Sequence, residues 1–280
     1  MVDIELMHSL LQAISPGTRL ILIGDVDQLP AVGPGNVRHD IIESGIIPCT
    51  ILEKIYRQET GNMIPLVARD INEGKVPDLI TPDRSFEFKP CHNPRDMVRE
   101  VIKIISKESA ENDDIQVIIP GKKGFAGTMN MNRLLQAEFN PPSEWKKEKE
   151  YGSRVFREGD KVMQIKNNYE LEYRVGFEDG KGIFNGDIGI VMSIDADGGF
   201  MEIVFDGGRR VSYDIRDADQ LDTAYAITVH KSQGSEYNTV ILVLMGVSPM
   251  LQTRNLLYTA VSRAVDKLYI VGQGEILRSM

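Results

Sequence analysis

Apolar residues at the start of the chain, Ile4, Leu6, Met7, Leu10, Leu11 and Ile14, fall near the helical period. Ser15-Pro16-Gly17 predicts where that helix stops. The next run, Arg19-Leu20-Ile21-Leu22-Ile23-Gly24-Asp25, is apolar without alternation, the pattern of a strand buried on both faces of a parallel sheet. Residues 62–74 predict a helix, with Pro65 in its first turn and Gly74 closing it. Phe86-Glu87-Phe88 predicts a short strand. Residues 94–108 predict an amphipathic helix carrying Met97, Val98, Val101, Ile102, Ile104 and Ile105. Val117-Ile118-Ile119 predicts a buried strand and residues 128–139 another helix. Strands alternating with helices are the grammar of α/β layers.

The pattern breaks near residues 141–152. Pro141-Pro142 and the charged run from Trp145 to Glu150 read as an exposed connection. From 154 to 214 the spacing becomes all-β, with turn dipeptides at Asp179-Gly180, Asn185-Gly186, Gly198-Gly199 and Asp206-Gly207. After residue 222 the α/β grammar returns: a buried strand Thr239–Leu244, a helix over 251–264 and a strand Lys267–Val271. A small barrel-like β module is therefore expected inside an α/β domain. Its aromatics Phe156, Tyr169, Tyr173, Phe177, Phe184, Phe200, Phe205 and Tyr213 have two readings, base-stacking surface or core, with core the commoner fate.

Composition narrows the class. The 280 residues are 42% hydrophobic and 26% charged, ordinary for a globular protein. No apolar run reaches the roughly 18 residues of a membrane span, and the N-terminus does not read as a signal peptide. A cytoplasmic location without a membrane partner is the expectation. Cys49 and Cys91 cannot build a disulfide framework, and His8, His39, His92 and His230 are too scattered for a zinc site, so no metal site is expected. The net charge of −9 lowers the prior for nucleic acid without excluding a locally basic groove.

The candidate chemistry begins with an absence. Gly-Lys pairs occur at 74–75, 121–122 and 180–181, but none is followed by Ser or Thr, so the sequence holds no P-loop. Gly24-Asp25-Val26-Asp27-Gln28-Leu29-Pro30 leaves the end of the first predicted strand, where ligands of α/β sheets bind. Ile55-Tyr56-Arg57-Gln58 offers one arginine. Hydroxyl, imidazole, ammonium and amide groups crowd into Thr228-Val229-His230-Lys231-Ser232-Gln233-Gly234-Ser235-Glu236, groups suited to phosphate and sugar. Ser262 and Arg263 come late on an otherwise apolar helix, where a guanidinium needs an anionic partner.

Together and in order, these motifs resemble superfamily 1 DNA helicases of the RecD type, which include the exodeoxyribonuclease V α subunit and stand-alone relatives. GDVDQLP is similar to motif III, IYRQ to motif IV, TVHKSQGSEY to motif V and YTAVSRA to motif VI. The stretch from Gly159 to Tyr169, with Phe184–Val191, is similar to the SH3-like insertion of that type. The resemblance extends over essentially the whole chain. It implies a RecA-like second motor lobe (49–153 and 215–280) with a parallel sheet, an inserted SH3-like β-barrel (154–214) and a remnant of the first lobe (1–48). Met1-Val2-Asp3 resembles the end of the family's Walker B stretch, so the chain is expected to be a C-terminal piece.

By resemblance, Gln28 senses the γ-phosphate, and Arg57 and Arg263 contact it from the second lobe. Asp25, Gly234 and Glu236 lie on the nucleotide side, and Thr228, His230 and Lys231 on the DNA side. The intact enzyme would use ATP and Mg²⁺, move 5′ to 3′ on single-stranded DNA and serve repair and recombination. Other exodeoxyribonuclease subunits and the missing N-terminal motor lobe are the implied partners. The chain alone is expected to bind no nucleotide tightly and hydrolyse none. Residues 1–47 are expected to be loose or docked on the second lobe. The runners-up are a degenerate lobe that only binds DNA or a partner, and the helicase part of a conjugative relaxase.

Overall fold

The computed structural model describes residues 2–51, 61–81, 83–111, 114–195 and 197–280. Arg57 and its IYRQ motif lie outside the described residues. In chain order come α1 (Ile4–Ala13), α2 (Val37–Ser44), α3 (Ile64–Asn72), β1 (Phe86–Pro90), α4 (Pro94–Glu108), β2 (Ile115–Ile119) and α5 (Thr128–Phe139). A hairpin, β3 (Glu148–Tyr151) and β4 (Arg154–Arg157), leads into β5 (Lys161–Gln164), β6 (Asn168–Val175), β7 (Glu178–Ile183), β8 (Ile188–Asp195), β9 (Phe200–Phe205), β10 (Arg209–Asp214) and β11 (Leu221–Thr223). The chain then returns through β12 (Ala226–Thr228), β13 (Tyr237–Leu244), α6 (Arg254–Val261), β14 (Ala264–Gly272) and α7 (Gly274–Ser279).

Five strands pair in parallel in the order β1-β14-β13-β2-β12. The continuous apolar run of β13 is explained by helices on both faces. Val240, Leu242 and Leu244 join Val67, Ile71, Leu256 and Leu257 in one core, while Ile241 and Val243 join Met97, Val101, Met131 and Leu135 in the other. α4 starts where its sequence says it should: Asn93 accepts from the Asp96 amide at 2.9 Å, with Pro94 following. The second sheet has seven strands in the order β11-β5-β8-β9-β10-β6-β7, all antiparallel. Phe156, Phe205 and Tyr213 are buried in its core, whereas Tyr169, Phe177, Phe184 and Phe200 are exposed.

A carboxylate ties the two sheets together. Asp160, fully buried, accepts from Asn140 Nδ2 (2.7 Å) and the Tyr225 hydroxyl (2.9 Å) on one oxygen, and from Gln136 Nε2 (2.6 Å) and the Arg157 amide (2.7 Å) on the other. Burial raises its pKa, and the hydrogen bonds from Asn140, Arg157, Tyr225 and Gln136 offset part of that rise. Lys161 adds a second tie, donating to the Ile115 carbonyl at 3.1 Å.

The structure departs from the expectations in four places. Residues 19–25 form no strand: Leu20, Ile21, Leu22 and Ile23 are 41%, 72%, 46% and 94% exposed. A buried parallel strand needs neighbours to take up its backbone groups, and among the described residues no strand pairs with this run. The connection at 141–152 is partly ordered, because Glu148 pairs with Arg157 across the β3–β4 hairpin at 2.6 Å. The helix expected over 251–264 is shorter, and its last residues turn into β14. Two short helices, α2 and α7, have no clear apolar period; each buries a single residue, Val37 or Leu277.

A buried ion cluster predicts a pH dependence for the sheet. Glu108, 1% exposed, accepts from Lys267 Nζ at 2.6 Å and from the Tyr269 hydroxyl at 2.7 Å. Burial disfavours its charge, but the bonds from Lys267, Tyr269 and Lys107 outweigh this and hold its pKa below the usual glutamate value. A depressed folded-state pKa means that the stabilisation is complete above the unfolded value of about 4.3 and is lost as pH falls through the folded value. Urea midpoints are expected to drop between pH 7 and pH 3, and Glu108→Gln is expected to flatten that drop. An unchanged slope in the variant would exclude Glu108 as its source.

Candidate functional site

The site begins with residues 25–29, which are bonded to the parallel-sheet lobe. Gln28 Nε2 and the Tyr258 hydroxyl both donate to Asp25 Oδ2, each at 3.1 Å. Asn72 Nδ2 donates to Asp27 Oδ2 at 2.8 Å, and Asn255 Nδ2 to the Asp27 carbonyl at 2.9 Å. The Leu29 amide donates to Thr259 Oγ1 at 2.7 Å, and Gln233 Nε2 donates to the Leu29 carbonyl at 3.0 Å. Asn255, Tyr258 and Thr259 stand three and four residues apart and therefore share one face of α6. The motifs did not single out Asn255, Tyr258 or Thr259; their helical spacing on an otherwise apolar helix is the signal that marks the positions, and Asn72 carries none.

Arg263 follows the end of α6 and is 6% exposed. Its guanidinium donates to the Thr259 carbonyl (3.1 Å), the Ser235 carbonyl (3.0 Å) and Ser262 Oγ (3.1 Å). These acceptors are neutral, and among the described residues Arg263 makes no ion pair. Burial pulls its pKa down, while the charges of Glu236 and Asp25 act the other way. Burial, aided by the Asp25 carboxylate, pushes the Tyr258 hydroxyl up to about 12. An arginine remains charged even so, and a buried guanidinium without a bonded carboxylate is a poised anion site.

The loop after β12 supplies the other residues. Thr228 is buried, and its hydroxyl accepts from the Lys231 amide at 3.4 Å. His230 and Lys231 are half-buried, and burial together with the charge of Lys122 lowers the pKa of both. Lys231 Nζ donates to Asn185 Oδ1 and, at 3.4 Å, to the Ile165 carbonyl, so this loop touches the β module. Gly234 is exposed at φ +86°, a conformation that side chains resist, and Glu236 is exposed beside it. A cleft of about 470 Å³ is lined by Gln28 and Leu29, by Asn185 and Gly186, and by His230, Lys231, Gln233 and Gly234.

Asp25, Gln28 and Arg263 are thus brought together, while Thr228, His230 and Lys231 form a second group joined to them through Gln233. Amides and one buried cation suit phosphate oxygens. Among the described residues, no group of three or more His, Cys, Asp or Glu side chains gathers where a metal ion could sit. The residues present therefore fit one side of a nucleotide and do not fit its metal.

Three families match successive parts of the chain. Residues 1–85 match an AAA domain, 131–205 the ATP-dependent RecD-like DNA helicase SH3 domain, and 223–271 the UvrD-like helicase C-terminal domain. The ATP-dependent RecD2 DNA helicase of Deinococcus radiodurans is 34% identical over 276 residues, covering 97% of this chain and 35% of that protein. The chain belongs to the RecD-like DNA helicases of superfamily 1. Among other members, the RecBCD enzyme subunit RecD of Mycolicibacterium smegmatis is 29% identical, covering 97% of this chain and 48% of that protein. The chain spans less than half the length of these two relatives. The crystal structure of Pif1 helicase from Bacteroides in complex with ADP-AlF3 and ssDNA superposes with a TM-score of 0.50 at 19% identity, over 92% of this chain and 62% of that one. At that identity the likeness is one of fold. No helix among the described residues is long and apolar enough to cross a membrane.

Proposed function

We propose that this chain is the ATP-responsive, DNA-gripping second lobe of a RecD-like helicase that moves 5′ to 3′ on single-stranded DNA in repair and recombination. The observation that carries the reading is Arg263, a buried guanidinium bonded only to neutral acceptors and set beside the Asp25–Leu29 segment. ATP would lie between this face and a first lobe that supplies the Mg²⁺ ligands and the phosphate-binding loop, a motif this sequence does not hold. Arg263, together with Arg57, would neutralise charge developing on the γ-phosphate, and Gln28 would sense it. Asp25, Gly234 and Glu236 would border the nucleotide. The bonds from Gln28 through Asp25 to Tyr258 give a route by which that state reaches α6. Thr228, His230 and Lys231 would hold the DNA backbone. Alternate closing and opening of the cleft would make hydrolysis into stepping. Other exodeoxyribonuclease subunits are the proposed protein partners, and the cytoplasm the proposed location.

The test is ATP hydrolysis by the chain with and without single-stranded DNA, repeated after adding a first lobe from upstream in the family's domain order. Silence alone and DNA-stimulated turnover after complementation are expected. Turnover by the chain alone would overturn the requirement for a first lobe. Silence in both, with DNA binding retained, would favour a lobe that only binds.

A further inference from the structure

The module's aromatics divide into buried and exposed sets, and two of the exposed ones face each other. Tyr169 is 65% and Phe184 40% exposed, and their rings meet edge to face with centroids 5.4 Å apart. The local backbone makes room for them. Gly182 has φ +103°, and a Cβ there would stand 2.7 Å from the Phe184 ring, so the ring occupies space that only glycine leaves. Exposing two aromatic rings to water is unfavourable, and a pair seated this way on a surface marks a contact face.

Its position indicates which contact. Phe184 is followed by Asn185, whose side-chain oxygen receives Lys231 Nζ and whose amide donates to Asn167 Oδ1 at 2.9 Å. The aromatic pair therefore adjoins the cleft that also holds His230 and Lys231. The nearby carboxylates Glu170 and Glu172 are engaged by Lys181, at 3.7 and 3.2 Å. Cations for phosphates beside ring faces for bases are the two ingredients of a single-strand nucleic-acid surface.

We infer that Tyr169 and Phe184 form a base-stacking subsite for single-stranded nucleic acid, which carries the strand from the Lys231 loop onto the β module. This inference rests on the DNA-facing reading of that loop. Stacking accepts any base, so the subsite would add grip without sequence preference.

The test is fluorescence anisotropy of the full chain with a labelled oligothymidylate and with the same oligomer made abasic, over a salt series. The parent is expected to prefer the oligomer with bases. Tyr169→Leu with Phe184→Leu keeps apolar bulk and removes the ring faces. It is expected to weaken binding of oligothymidylate by about tenfold, leaving the abasic oligomer and the salt slope unchanged. Lys231→Met is expected to weaken both oligomers and reduce the slope. If the double variant binds oligothymidylate as tightly as the parent, while Lys231→Met still flattens the slope, the subsite is refuted and the reading of the loop survives; the aromatic face would then belong to a protein partner. A parent that binds neither oligomer refutes both.

Discussion

Replacing Arg263 with alanine is expected to lower DNA-stimulated ATP hydrolysis by about a thousandfold in protein carrying both motor lobes. The size follows from the environment. The guanidinium is 6% exposed, so its charge acts through a medium poorer in water than a surface arginine's would. Its three bonds, to Thr259, Ser235 and Ser262, fix the side chain before any ligand arrives, so little ordering remains for the reaction. Arg263→Lys restores the charge but cannot reproduce the planar fork, and it should recover only a small part of the rate. Loss of the side chain also takes the donor from the Ser235 carbonyl, whereas the Thr259 carbonyl keeps the Ser262 hydroxyl at 3.0 Å, so some cost in stability is expected as well. The separating measurement is DNA affinity without nucleotide. It should stay within about twofold of the parent, about 0.4 kcal/mol, if Arg263 acts on the γ-phosphate, because the side chain then makes no contact with the DNA. A turnover loss below tenfold would remove Arg263 from the chemistry.

The second large effect concerns the join between the two sheets. Asp160→Asn, although nearly isosteric, is expected to destabilise the chain by about 2 kcal/mol, and Asp160→Ala by about 3 kcal/mol. Each carboxylate oxygen accepts two donors. An asparagine must turn its NH₂ toward one of those pairs. On one side stands the Arg157 backbone amide, which cannot accept. On the other stands Asn140, whose Nδ2 also serves the Glu158 carbonyl and whose Oδ1 takes the Lys146 ammonium, so it cannot flip without further loss. Tyr225→Phe removes one donor and should cost about 1 kcal/mol. Urea denaturation of the full chain reads all three variants. An asparagine variant within about 0.5 kcal/mol of the parent would show that the donors find other partners.

These two residues also mark how far the sequence could be read. Arg263 stood out because a cation near the end of an apolar helix has no local reason to be there. Asp160 did not, since an aspartate after Glu158-Gly159 is ordinary turn composition. Of its four donors only the Arg157 amide is local; those from residues 136, 140 and 225 are assembled by folding. The Tyr258 and Asn255 contacts with residues 25–27 are invisible for the same reason: more than 200 positions separate the partners.

The sequence by itself determined the elements whose pattern is local. The amphipathic period of α4, the Asn93-Pro94 start and the unbroken apolar run of β13 each state their own conformation, because period and capping chemistry are decided within a few residues. The motif order likewise carried the family. Only the tertiary structure decided what those elements touch. It left Leu20–Ile23 exposed where a buried strand was expected, since strand formation depends on hydrogen-bonding neighbours as well as on apolar side chains. It sorted Phe156, Phe205 and Tyr213 into a core and set Tyr169 and Phe184 on the surface, although all five have the same aromatic character in sequence. It also drew Asp25, Gln28 and Arg263 into one site, because burial and proximity belong to the assembled chain and not to any segment of it.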